Sequence, residues 1–139
     1  FIGETFLGLP GRSTYTRNDH SEALKTSSRT SLDQARLFTT TPKLFRGAQH
    51  EKFERLENAV LLPRYGCDCY AYCLLAAGHV DLVVEPRLNI YDIAALVPII
   101  RQAGGVVTNF NGGHPDQGGD IIAAATPQLH AAALAFMQD

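Results

Sequence analysis

Two carboxylates, Glu85 and Asp92, stand in the stretch DLVVEPRLNIYDIAALVPIIRQAGG that covers residues 81–105. Glu85 closes a short apolar run, residues 82–84, and Asp92 opens an apolar stretch of helical character that stops at Gly104 and Gly105. One acid therefore belongs to the C-terminal edge of a strand and the other to the N-terminus of the next helix, the edge where open α/β sheets bind ligands. A carboxylate near the positive end of a helix stays ionised and can hold a hard cation. Each acid also has an ordinary structural use. Asp is a common N-cap, and a Glu followed by Pro is commonly a solvated strand end. The pair is the stronger signal, because both acids fall at one edge. Gly66, Cys67 and Asp68 repeat the arrangement after another apolar run. Their backbone amides open a second helical stretch and can hydrogen-bond an anion or a substrate hydroxyl.

Other chemistries find little support. His20, His50, His79, His114 and His130 are scattered, with no Ser in a nucleophile elbow and no glycine-rich phosphate loop. His114, in the loop GGHPDQGG, is expected to face solvent. The three cysteines, Cys67, Cys69 and Cys73, lack the second ligand cluster that a zinc site needs. They are expected to be buried or half-buried free thiols.

The elements that must position these residues follow from hydrophobic period. Residues 1–17 alternate in short runs broken by Gly8, Pro10 and Gly11, a hairpin pattern, and residues 18–34 read as a polar loop or edge strand. Strands are expected over residues 35–39, 60–64, 82–85, 106–110 and 121–125. Helices are expected over residues 50–58, 68–77 and 92–103, with a last one capped by Thr126 and led by Pro127. Pro98 should kink the third helix or confine it to a shortened first segment. Strands alternating with helices predict an α/β layered sandwich whose central sheet is mainly parallel and flanked by helices, preceded by the hairpin-like β segment. Two parts are expected: a β-rich segment at residues 1–34, left from a preceding domain, and an α/β domain at residues 35–139.

Composition narrows the class. With 139 residues, 45% hydrophobic and 19% charged, the chain can bury roughly two-thirds of its unfolded surface. A net charge of −2 without a basic run leaves no electrostatic footprint for nucleic acid. The longest apolar stretch, residues 93–100, is far short of the about 20 residues a membrane span needs. A signal peptide is not evident, so the expected location is cytoplasmic. The chain opens on Phe1 in mid-pattern, which reads as a fragment of a longer protein.

The run VEPRLNIYDIAALVPIIRQAGG followed by VVTNFNGG resembles the C-terminal signature of the inositol monophosphatase superfamily, with Tyr91 where that family more often has Trp. The resemblance extends back through RYGCDCYAYCLLAAGHVDLVVE and forward through GDIIAAATPQLHAAAL, covering most of residues 35–139. The wording YGCDCYAY, LNIYD and AALVPII looks most like the histidinol-phosphate phosphatase branch. The resemblance implies magnesium-dependent hydrolysis of a small phosphorylated metabolite. It makes Asp92 a ligand of a Mg²⁺ site and Glu85 the acid that contacts the non-phosphate half of the substrate. It places Gly66, Cys67 and Asp68 on the turn lining the substrate pocket, with Asn89 in the loop facing the ligand. The family's other metal motifs, a Glu-Glu pair and Asp-Pro-x-Asp-Gly-Thr, do not occur here. The chain is therefore expected to need a missing N-terminal domain, to be inactive alone, and to form a homodimer when complete. An inositol-1-monophosphatase or a related nucleotide or sugar phosphatase is the alternative within the superfamily. From another class, the alternative is a non-catalytic α/β domain with Asp92 as a plain cap.

Overall fold

The computed structural model describes residues 2–138. Strands β1 (Glu4–Leu9) and β2 (Arg12–Arg17) form an antiparallel hairpin that turns at Pro10 and Gly11, where Gly11 takes φ +80°. β3 (His20–Ala23) adds to β2 as an exposed edge. The expected hairpin and edge strand are both present, with Phe1 outside the described residues.

The other strands form a second sheet. They are β4 (Arg36–Thr39), β5 (Leu62–Tyr65), β6 (Leu82–Leu88), β7 (Val106–Asn109) and β8 (Gly119–Ala124), in the order β5-β4-β6-β8-β7. α1 (Ala48–Ala59) connects β4 to β5, α2 (Asp68–Ala76) connects β5 to β6, and α3 (Ile90–Ile93) with α4 (Leu96–Gln102) connects β6 to β7. α5 (Pro127–Met137) follows β8, and its N-cap Thr126 accepts a hydrogen bond from the Leu129 amide at 3.2 Å. Four of the five strands run in one direction. β8 is inserted between β6 and β7 and is antiparallel to both. A parallel crossover takes a dozen or more residues, usually a helix. The loop between β7 and β8 carries none, so the chain returns beside itself.

Side-chain alternation on β6 and β8 builds a core on each face of this sheet. Val83, Ile121 and Ala123 pack with α2 and α4, whereas Leu82, Val84, Ile122 and Ala124 pack with α1 and α5. Leu82, Val83 and Val84 of β6 are fully buried. Burial of such side chains stabilises by about 1.5–3 kcal/mol each.

The helical stretch that opens near Asp92 is interrupted as its proline requires. Pro98 has no amide hydrogen, and its ring crowds the carbonyl four residues back, that of Ala94. The first segment ends at Ile93 and the second begins at Leu96.

The N-terminal sheet lies on α4. A Cβ at Gly8 would stand 2.7 Å from the Ile99 amide nitrogen, so only glycine lets the strand and helix backbones meet this closely. Asp81 locks the connecting segment to the main sheet. Its side chain is fully buried and accepts from Ser27 Oγ at 2.5 Å, the Arg36 amide at 2.8 Å and Arg36 Nε at 2.9 Å, with Arg29 at 3.2 Å. Burial alone would raise its pKa, but the bonds from Arg36 and Ser27 hold it below the ordinary carboxylate value. Among the described residues no helix is long and apolar enough to cross a membrane.

Candidate functional site

The C-terminal ends of β4 and β6 and the start of α2 enclose an open cleft of about 470 Å³. β6 carries a bulge between Glu85 and Leu88, where the register with β8 shifts. Arg87 fills it at φ +58°, a left-handed conformation rare for a residue with a side chain. Its amide donates to Asp120 Oδ1 at 2.9 Å, and Gln49 Nε2 donates to the other oxygen at 2.8 Å, so the side chain of β8 holds the bulge in place. A bulge bends its strand and re-aims the side chains beside it. Here it carries the chain from Glu85 round to Asp92, and both acids line the same cleft together with Asp68.

Glu85 is 3% exposed, not the solvated strand end that its sequence context allows. Its Oε1 accepts the Thr40 amide at 2.6 Å and Thr40 Oγ1 at 2.8 Å. Burial raises its pKa above the ordinary value; the two Thr40 bonds oppose this, and the nearby charges of Asp68 and Asp92 add to the rise. Thr40 Oγ1 also lies 3.2 Å from Asp68 Oδ1. A hydroxyl has one proton, so it can donate to one of these carboxylates at a time.

Asp92 is half-buried, at the third position of α3 rather than at its cap. The cap is Asn89, whose amide donates to Asp92 Oδ2 at 2.8 Å. That bond fixes one oxygen of Asp92. Among the described residues no hydrogen bond reaches Oδ1.

The turn before α2 runs through three residues of positive φ: Gly66 at +92°, Cys67 at +73° and Asp68 at +42°. Only the first is glycine, and the non-glycine pair stores backbone strain of the kind that gathers at functional sites. This turn puts the Asp68 carboxylate on the cleft wall, whereas Gly66, Cys67 and Asn89, expected at the substrate, are not among the residues that line the cleft. Cys67 and Cys69 are exposed and Cys73 is buried, all free. The expectation of buried or half-buried thiols holds for Cys73 and is corrected for the other two: Cys67 sits on the strained turn, and Cys69, in the first turn of α2, lines the cleft. His114 is exposed, as expected.

Thr40, Tyr72 and Arg87 also line the cleft, and none of them stands out by motif. Thr40 directly follows the C-terminal end of β4, so the sheet-edge rule that selects Glu85 applies equally to it. Tyr72 stands four residues after Asp68 on α2, on the same helical face.

The lining acids offer hard oxygen donors and little compensating charge, since the Arg87 guanidinium is turned to the Leu44 carbonyl at 2.5 Å. This donor set suits Mg²⁺ in kind. In number it falls short: among the described residues no three His, Cys, Asp or Glu side chains are grouped to hold a metal ion. Asp92, with one oxygen anchored and the other free, is the residue placed to supply a ligand.

The profile of the inositol monophosphatase family matches residues 1–139. The chloroplastic bifunctional phosphatase IMPL2 of Arabidopsis thaliana is 46% identical over 111 residues, which cover 80% of this chain and 31% of that protein. The histidinol-phosphatase of Mycobacterium tuberculosis is 36% identical over 101 residues, covering 72% of this chain and 39% of that one. Among solved structures, an inositol monophosphatase from Zymomonas mobilis superposes with a TM-score of 0.80 at 36% identity, over 91% of this chain and 53% of that one. The chain thus spans between about a third and a half of the length of these relatives. It belongs to the inositol monophosphatase family.

Proposed function

We propose that the protein containing this chain hydrolyses a phosphate monoester with Mg²⁺, that its substrate is histidinol phosphate, and that this chain contributes the C-terminal part of the site. The observation that carries the reading is the convergence of Asp68, Glu85 and Asp92 on one cleft. When bound, Mg²⁺ would polarise the phosphate and lower the pKa of the attacking water. Asp92 would hold it through the oxygen that Asn89 leaves free. The remaining ligands would come from a part of the protein outside this sequence, in keeping with the share of each relative that the chain covers.

Glu85 and Asp68 would face the organic half of the substrate. The Thr40 hydroxyl can donate to only one of the two carboxylates at a time and neutralises neither, which leaves negative charge for a cationic group to neutralise. The amino and imidazole groups of histidinol phosphate meet that need, and a neutral polyol phosphate meets it less well. Gly66 and Cys67 would set the angle of Asp68, and Asn89 that of Asp92. The complete protein would be a homodimer, and this chain alone would turn over no substrate, since one carboxylate cannot fix a Mg²⁺ ion that keeps most of its water.

The test is a comparison of kcat/KM for histidinol phosphate, inositol 1-phosphate and a nucleoside monophosphate with the complete protein. Preference for histidinol phosphate that shrinks in Glu85→Gln supports the reading. Equal or greater turnover of inositol 1-phosphate by the wild type would overturn the choice of substrate.

A further inference from the structure

Tyr72 sits where α2 meets the cleft floor, and only 2% of the residue is exposed. Its ring belongs to the core shared with α4, but its hydroxyl has no hydrogen-bond partner among the described residues. A buried hydroxyl without a partner is a cost to the fold, since it has given up water and received nothing. The charges this hydroxyl feels are those of Glu85 and Asp92, and neither carboxylate accepts its hydrogen. Burial first, then those two charges, keep the phenol pKa well above its ordinary value, so the group remains a donor. An acceptor atom seated on the cleft floor near both acids is what it lacks.

Resting on the phosphomonoesterase reading, we infer that the Tyr72 hydroxyl donates a hydrogen bond to the leaving-group oxygen of the substrate. Under that reading Glu85 faces the organic half and Asp92 the phosphate side, and the ester oxygen is the atom that joins the two. In the reaction the water oxygen bonds to phosphorus, the P–O ester bond breaks, and its electron pair passes to the leaving oxygen. Of the two hydrogens of the water, one ends on the released alcohol and the other stays with the phosphate. Tyr72 keeps its own proton and stabilises the charge that grows on the leaving oxygen, as an oxyanion-hole donor does.

The experiment compares wild type and Tyr72→Phe in the complete protein on histidinol phosphate and on 4-nitrophenyl phosphate, with thermal melts alongside. Phe keeps the ring and its packing. The nitrophenolate oxygen is a far weaker base than an alkoxide and needs little help to leave. The expected result is a fall in kcat of roughly tenfold or more on the alkyl ester with KM nearly unchanged, a fall of less than about twofold on the aryl ester, and an unchanged or raised melting temperature. Equal losses on both esters, or no loss on either, would overturn the assignment. Wild-type turnover of either ester upholds the phosphatase reading whatever the variant does, and a wild type that hydrolyses neither overturns both. If the wild type cleaves the aryl ester but not histidinol phosphate, only the substrate choice is lost. The comparison then runs on the alkyl phosphate it cleaves fastest.

Discussion

A buried acid such as Glu85 has a use only if something neutralises it. Its folded-state pKa is raised, first by burial and then by Asp68 and Asp92, against the opposing bonds from Thr40. The stability linked to its protonation is therefore fully present below its ordinary value of 4.5 and is lost as pH rises through the folded value. Without ligand or metal, Glu85→Gln is expected to melt higher than wild type at neutral pH. The gap should close as pH falls below the ordinary value. Melts from pH 4 to 8 check this, and a wild type more stable than the Gln variant at pH 7 would refute it. Glu85 and Asp92 were legible as a pair because both follow the sheet-edge rule. Thr40 and Tyr72 were not, because a hydroxyl carries no pattern until the fold shows what lies opposite it. Asp92 was legible as a residue at the helix start, but its place three residues past the cap was not, since that depends on Asn89, whose amide donates to it.

The bulge in β6 turns two ordinary elements into a cleft. Nothing in the run EPRLN announces it, since Arg87 takes a conformation that sequence reading reserves for glycine, asparagine or aspartate. What stabilises it comes from Asp120, distant in sequence, through the Arg87 amide and Gln49. Asp120→Ala is expected to cost about 1–3 kcal/mol and to lower activity more than stability alone explains, because the loop carrying Asn89 and Asp92 follows the bulge. Denaturant melts and kcat/KM measured together test this; full activity with the stability loss would show that the bulge holds itself. The break before Leu96 was legible, because Pro98 dictates it through local sterics. The reversed direction of β8 was not. Apolar period tells strand from helix and says nothing of polarity, which depends here on a loop too short for a crossover.

Across the whole molecule, the N-terminal sheet, the connecting segment and the main sheet meet at α4 and at Asp81. Asp81 gathers Ser27, Arg29 and Arg36, and its main chain bonds the Arg36 carbonyl at 3.1 Å and the Ala125 amide at 2.9 Å. Its depressed pKa contributes stability that is present above the ordinary value of 3.8 and is lost as pH falls through the folded value. Removing Arg36 leaves that buried charge short of a partner, so Arg36→Ala is expected to cost about 3–5 kcal/mol, read from denaturant unfolding. A loss within about 0.5 kcal/mol would show that Arg29 and Ser27 suffice. The central claim, that this fold presents Asp92 to a metal, is tested most directly by a Mg²⁺ titration of the rate in the complete protein, wild type against Asp92→Asn, with thermal melts alongside. Asn keeps the size and an acceptor for the Asn89 amide but removes the charge. A metal ligand at Asp92 requires a near-unchanged melt and a rate lower by orders of magnitude at ordinary Mg²⁺, since each ~1.4 kcal/mol of lost transition-state stabilisation is a factor of ten. Wild-type turnover by Asp92→Asn at the same Mg²⁺ would contradict it.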